Sequence, residues 1–200
     1  NAYWGERQAL IFAHSNVRDR MSKRQGPNAL GRVTEPSPPA ALPLVTFGDS
    51  ISLHFNGTDI ELQHYPRGHT DGDSVVYFAQ HNVVHMGDFF FADRFPFVDL
   101  SSGGSIAGYL AGLEAVLARV DDNTLIIPGH GDLAGRVDLQ RFRKMILTTS
   151  STVHESLAAG HSPDDIVAQG LGSQWVSWGK EFISEESWIR ILAADHEHSR

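Results

Sequence analysis

Cysteine is absent from all 200 residues of this chain. Disulfides, thiolate metal ligands and a cysteine nucleophile are thereby excluded, and the absence fits a cytoplasmic or a periplasmic protein equally. Nor is there any run near the roughly 18 uncharged apolar residues that a membrane helix needs, so no membrane partner is expected. A basic stripe is missing too. Asp and Glu number 24 against 16 Lys and Arg, for a formal net charge of −8, and the one basic group is Arg18, Arg20, Lys23 and Arg24. That balance argues against nucleic acid as a partner and leaves a small-molecule substrate as the expected one. The first residue is Asn1 rather than methionine, and no signal-like segment follows it, so a processed chain or a fragment is expected.

What is present is a chain that is 41% hydrophobic and 20% charged, long enough to bury a core as one domain over residues 1–200. An apolar run at 8–13 reads as a buried strand, and 16–24 reads as a helix with Asn16 at its N-cap. Residues 26–43 are rich in proline and glycine and form a loop. Short strands follow at 44–47, 50–55, 59–65, 74–79 and 82–86. Asn56-Gly57 marks a tight hairpin, because both residues tolerate positive φ. The second half turns helical. Ile106, Leu110, Leu113, Val116, Leu117 and Val120 make a stripe at helical spacing, with Ser105 as cap. A strand at 124–127 precedes a long helix over 138–159, a shorter one opening at Ser162-Pro163, and a last one from about 185 to 196. This order predicts a layered α/β or α+β domain.

Three loops share one design: each follows an apolar strand and carries a potential metal ligand. They are Gly68-His69-Thr70, Gly87-Asp88 and Pro128-Gly129-His130-Gly131. Strand ends at one edge of a layered fold converge, so ligands placed there can meet. Imidazole and carboxylate suit zinc, with iron or manganese as alternatives. Taken singly, each loop reads as a turn, with a solvated histidine or a helix cap. Together and in this order they are far more specific.

Standing in that order, GHTDGD, HMGD and PGHG resemble the metallo-β-lactamase fold superfamily, over about residues 8–160 and closest to its hydrolase and glyoxalase-II-like branches. The resemblance implies an αββα sandwich with a two-metal zinc site on one edge. Position by position, it implies His69 on the first ion, His130 on the second and Asp88 bridging them as the catalytic carboxylate. The implied reaction is hydrolysis of an ester, thioester, lactone or β-lactam bond by a metal-activated water. Thr70 and Asp71 would then orient His69. The family's His-x-His-x-Asp-His run occurs nowhere in the chain. Its place in the family lies just before a strand like 8–13, so an N-terminally truncated domain is expected, holding an incomplete site. The rival expectation is a non-catalytic, metal-poor binding or scaffold module of the same fold.

Other groups carry their own readings. Residues 89–91, with Phe95 and Phe97, pack a core or line a substrate pocket, and Phe90 and Phe91 are the candidates for touching substrate. Asp195, His196, Glu197 and His198 read as a solvated C-terminal tail. His54, His64, His81 and His85 lie in strand patterns and are expected to be structural. Trp175, Trp178 and Trp188 are expected to pack a helical layer or a homo-oligomer surface.

Overall fold

Alternation of apolar and polar side chains sets the main sheet. In the computed structural model, which describes residues 1–27, 31 and 33–198, the strands are β3 (Ser50–Phe55), β4 (Thr58–His64), β5 (Ser74–Phe78), β6 (Val83–Phe91) and β7 (Leu125–His130), hydrogen-bonded in that order. The first four run antiparallel, and β7 joins β6 in parallel. Asn56 and Gly57, at φ +51° and +73°, close the β3–β4 hairpin as their residue types predict. A separate parallel pair joins β1 (Phe12–His14) to β2 (Val45–Phe47).

The expected α+β class is the observed one, and most elements fall within a few residues of their expected bounds. The exceptions are β6, which runs five residues past its expected end at 86, and the first strand. It starts only at Phe12, because a short α1 (Ala2–Gly5) comes first and Gln8 takes a positive φ of 63°. Residues 28–30 and 32 of the proline- and glycine-rich loop, and 199–200 at the C-terminus, lie outside the described residues. Helix α2 (Ser15–Met21) is capped by His14, whose Nδ1 accepts from the Asn16 N–H at 3.2 Å. Asn16 is therefore not the cap. Its side-chain amide donates instead to the Asp71 carbonyl, at 2.9 Å.

Aromatic rings join sheet to helices. Phe89 of β6 stacks on Tyr109 of α3 (Ile106–Leu117) at 4.9 Å, and Phe90 meets Phe142 of α4 (Arg136–Ala158) at 5.2 Å. Ser105 caps α3 by accepting from the Gly108 N–H, as its position before the apolar stripe predicts. After α5 (Pro163–Gln169) the chain returns to α4 through α6 (Glu185–His198), whose Trp188 is fully buried. The Asp195 to His198 stretch is the last turn of α6: Glu197 and His198 are exposed as expected, while Asp195 and His196 are packed. Asp195 is buried and accepts the Ile106 N–H, adding a second acceptor at the N-terminus of α3, and His196 packs on His154 of α4 with ring centroids 4.3 Å apart. Apolar residues preceding the tail fix it there, since Trp188, Ile191 and Leu192 dock the helix that carries it.

Two histidine pairs make stability depend on pH. His14 stacks on His64 at 3.7 Å. Burial holds the His14 imidazole below its usual 6.5, with His64 as the next cause, and burial then His196 does the same for His154. The folded state thus binds these protons less readily than the unfolded chain. Their contribution is fully present above pH 6.5 and is lost as pH falls through and below that value. Denaturant midpoints measured from about pH 7.5 to about pH 5 are expected to fall, and less steeply in His154→Gln. An equal slope in both proteins would remove His154 as a contributor.

Candidate metal centre

Three separate local devices bring His69, Asp88 and His130 to one edge of the sheet. The first is the loop after β4. Its Asp73 carboxylate accepts from the Thr70 N–H at 3.0 Å and from the Thr70 hydroxyl at 2.8 Å, so the turn is tied internally. Burial raises the Asp73 pKa, and His69 and the Thr70 hydrogen bonds partly offset it. The loop's outer side is held by α2. Arg20 clasps the Asp71 carboxylate with two bonds of 2.8 and 2.7 Å, and a side chain on Gly72 would strike Val17. Its other flank packs so closely on the 99–104 turn that a Cβ on Gly104 would lie 2.5 Å from the His69 carbonyl oxygen.

Neither Thr70 nor Asp71 orients the His69 ring. Thr70 is spent on Asp73 and Asp71 on Arg20. The orienting group is a backbone carbonyl: His69 Nδ1 donates to Phe97 O at 2.7 Å. A carbonyl can only accept, so Nδ1 carries a proton, and in the neutral ring the lone pair is then on Nε2, the nitrogen facing Asp88. No spacing rule points to Phe97, because the partner atom is main chain and 28 residues away.

The second device is a bulge in β6. Strand pairing with β7 shifts register on both sides of Gly87, whose φ is +52°. His85 Nδ1 supports the bulge by accepting the Gly87 N–H at 3.1 Å, which gives that histidine the structural role expected of it. The extra residue re-aims the strand, so Asp88 faces solvent while residues 89–91 turn inward. Tyr109, fully buried on α3, donates its hydroxyl to the Asp88 carbonyl at 2.9 Å, and burial drives its pKa well above the usual value. The third device is the end of β7, where His130 stacks on Phe91 at 4.7 Å and its carbonyl accepts the Ala92 N–H.

The outcome is a carboxylate between two imidazoles. His69 Nε2 lies 3.7 Å from Asp88 Oδ2, and His130 Nε2 lies 3.4 Å from Asp88 Oδ1. His69 is mostly covered, while Asp88 and His130 are about half exposed, so the site opens to solvent. Each histidine addresses its own oxygen. The two imidazoles therefore flank one carboxylate, and among the described residues no group of three or more His, Cys, Asp or Glu could hold a metal ion. Of the proposed substrate contacts, Phe90 is corrected: it has no exposed surface and packs on Phe142. Phe91 is also buried and serves as the platform under His130.

Gly129 makes this geometry fragile. A Cβ there would sit 2.4 Å from Asp88 Oδ1 and about as close to the Gly87 backbone, which cannot yield as a side chain can. Gly129→Ala is expected to weaken metal binding by about 10- to 100-fold while leaving the helical signal in circular dichroism unchanged. Titration with Zn²⁺ against a competing chelator measures it, and unchanged affinity would remove Gly129 from the site.

A sequence model of the metallo-beta-lactamase superfamily matches residues 4–130, a span that includes His69, Asp88 and His130. The chain belongs to the metallo-β-lactamase superfamily. Uncharacterized proteins of Mycobacterium bovis and Mycobacterium tuberculosis are 34% identical over 90 residues, covering 42% of this chain and 38% of theirs. The chain thus spans well under half the length of these curated relatives. Among solved structures, the BLEG-1 B3 metallo-beta-lactamase superposes with a TM-score of 0.57 at 22% identity, over 72% of this chain and 68% of that one. The sec-alkylsulfatase Pisa1 from Pseudomonas sp. gives 0.63 at 13% identity, over 96% and 37%. At these identities the structural likenesses establish the fold alone. Residues 131–200, with α4, α5 and α6, lie beyond the family match.

Proposed function

We propose that the natural protein is a metal-dependent hydrolase acting on an ester, thioester, lactone or β-lactam bond of a small molecule. One observation carries this reading: the Asp88 carboxylate presents a separate oxygen to each of two imidazoles. A carboxylate meant only to pair with histidine charge needs one partner; one with a histidine on each oxygen suits a pair of divalent cations. The donor set fits zinc, with iron or manganese as alternatives. His69 would hold the first ion through Nε2, its Nδ1 proton being fixed by Phe97 O, and His130 the second. Asp88 would join them, its carbonyl held by Tyr109 and its carboxylate packed where Gly129 has no side chain. Bound divalent ions acidify water and polarise a carbonyl. This chain's residues supply the bridge, the tautomer and the solvent-facing opening. The family's remaining ligands are not among them.

The natural full-length protein, stripped with chelator and reconstituted, is expected to take up about two zinc ions per chain. Ester, thioester, lactone and lactam substrates presented in turn should then be hydrolysed only by the reconstituted form. The incomplete donor set favours the second reading, a metal-poor binding module. Absence of tight metal uptake by the full-length protein would establish that module and end the hydrolase reading.

A further inference from the structure

Ring contacts do not stop at the ligands. His69 meets Phe97 at 5.8 Å between centroids, nearly edge-on, and Phe97 meets Phe182 at 6.5 Å in the same fashion. The sequence thus runs outward from a candidate ligand to a ring that is 60% exposed. Phe182 belongs to the stretch between α5 and α6, outside the span that the family match covers. That stretch is seated firmly. The Phe95 N–H donates to Trp178 O, Phe95 packs on Trp178, and Arg94 Nη1 lies 3.8 Å from Glu181 Oε2. Ile183, next to Phe182, is buried. Phe182 thus lies between a buried neighbour and Phe97 and turns the rest of its ring to water on the His69 side of the molecule. The Arg94 and Glu181 charges beside it offset one another, which leaves the wall apolar without a fixed charge to attract a second polar group.

We infer that the Phe97–Phe182 wall takes an aliphatic acyl arm of the substrate, and that Phe182 sets the preference for arm length. This rests on the hydrolase reading for the scissile bond, while the arm's binding is independent of turnover. An open wall covers one side of a chain only. Each added methylene should therefore raise kcat/KM by about twofold, against about fourfold for a fully buried one.

Two measurements on the metal-loaded full-length protein test it. In the first, acyl esters from acetyl to decanoyl are compared in wild type, Phe182→Ala and Phe182→Leu. The expected slope with chain length is present in wild type, mostly retained in the leucine variant and flattened in the alanine variant. Phe55→Ala, at a comparably exposed ring on β3, serves as control and should change nothing. In the second, octanoate and acetate binding are followed by calorimetry. Their head group is shared, so the ratio reports the arm alone. Octanoate is expected to bind at least about 30-fold tighter, and Phe182→Ala to cut that advantage about five- to tenfold. Hydrolysis with no dependence on chain length, or an octanoate preference untouched by Phe182→Ala, overturns the inference and leaves the hydrolase reading standing. Octanoate binding that needs Phe182, with no ester hydrolysed, supports the wall and overturns the hydrolase reading.

Discussion

Asp88→Asn is expected to lower zinc uptake by about half and to weaken the remaining affinity on the order of 100-fold, with hydrolysis lost. Asparagine keeps the shape of the side chain but turns one of its two oxygens into an N–H donor, which cannot ligate a cation, and removes the charge. One histidine would then face a donor instead of an acceptor at the 3.4–3.7 Å separations seen here. The fold should not notice. Asp88 is half exposed and its tether to α3 runs through its backbone carbonyl, not its carboxylate. An unchanged melting temperature beside a lost ion would therefore place the effect in the centre. Full stoichiometry and full activity in the variant would falsify the bridging role.

His69, Asp88 and His130 stood out as candidates because each lies in a short polar loop between recognisable strands, where a histidine or aspartate has no packing duty, and the structure brings the three side chains together. The caps and turns were legible for a similar reason: Ser105 and Asn56-Gly57 act on their own backbone within a few residues. What escaped the sequence was the pairing of polar groups across distance. In the GHTDGD loop two aspartates compete for one role. Which one ties the turn was decided by Arg20, 51 residues from Asp71, leaving Asp73 for Thr70. His14 took the cap from Asn16 because Asp71 O offered the Asn16 amide a partner 55 positions away. Phe97 and Tyr109 act on His69 and Asp88 through main-chain oxygens that no motif describes. Phe90 reads as core or as a pocket wall in the sequence, because the run 89–91 directly follows Asp88. The bulge at Gly87 explains that run, since beyond it both faces of β6 are covered.

A larger loss of stability is expected from Trp188→Ala: about 3–5 kcal/mol, or roughly 10 °C in melting temperature for a domain of this size. Trp188 has no exposed surface. Its ring lies 5.8 Å from Phe95 in a stacked arrangement, and its Nε1 donates at 2.9 Å to Thr149 Oγ1, which itself donates to the Met145 carbonyl. Truncation leaves a cavity where α6, α4 and the 92–97 segment meet. Trp188→Phe fills most of that volume and forfeits only the hydrogen bond, so about 1–2 kcal/mol is expected there. The position also tests whether residues 1–200 unfold as one domain. Phe95 stands two residues before Phe97, whose carbonyl fixes His69, so the helices beyond residue 130 brace the very segment that orients this candidate ligand. If that bracing is cooperative, tryptophan fluorescence and far-ultraviolet dichroism should report a single denaturant midpoint, lower in Trp188→Ala by the same amount with either probe. Two separated midpoints would show that α4 to α6 fold apart from the ligand sheet, and the metal centre would then lose its orientation before it lost its strands.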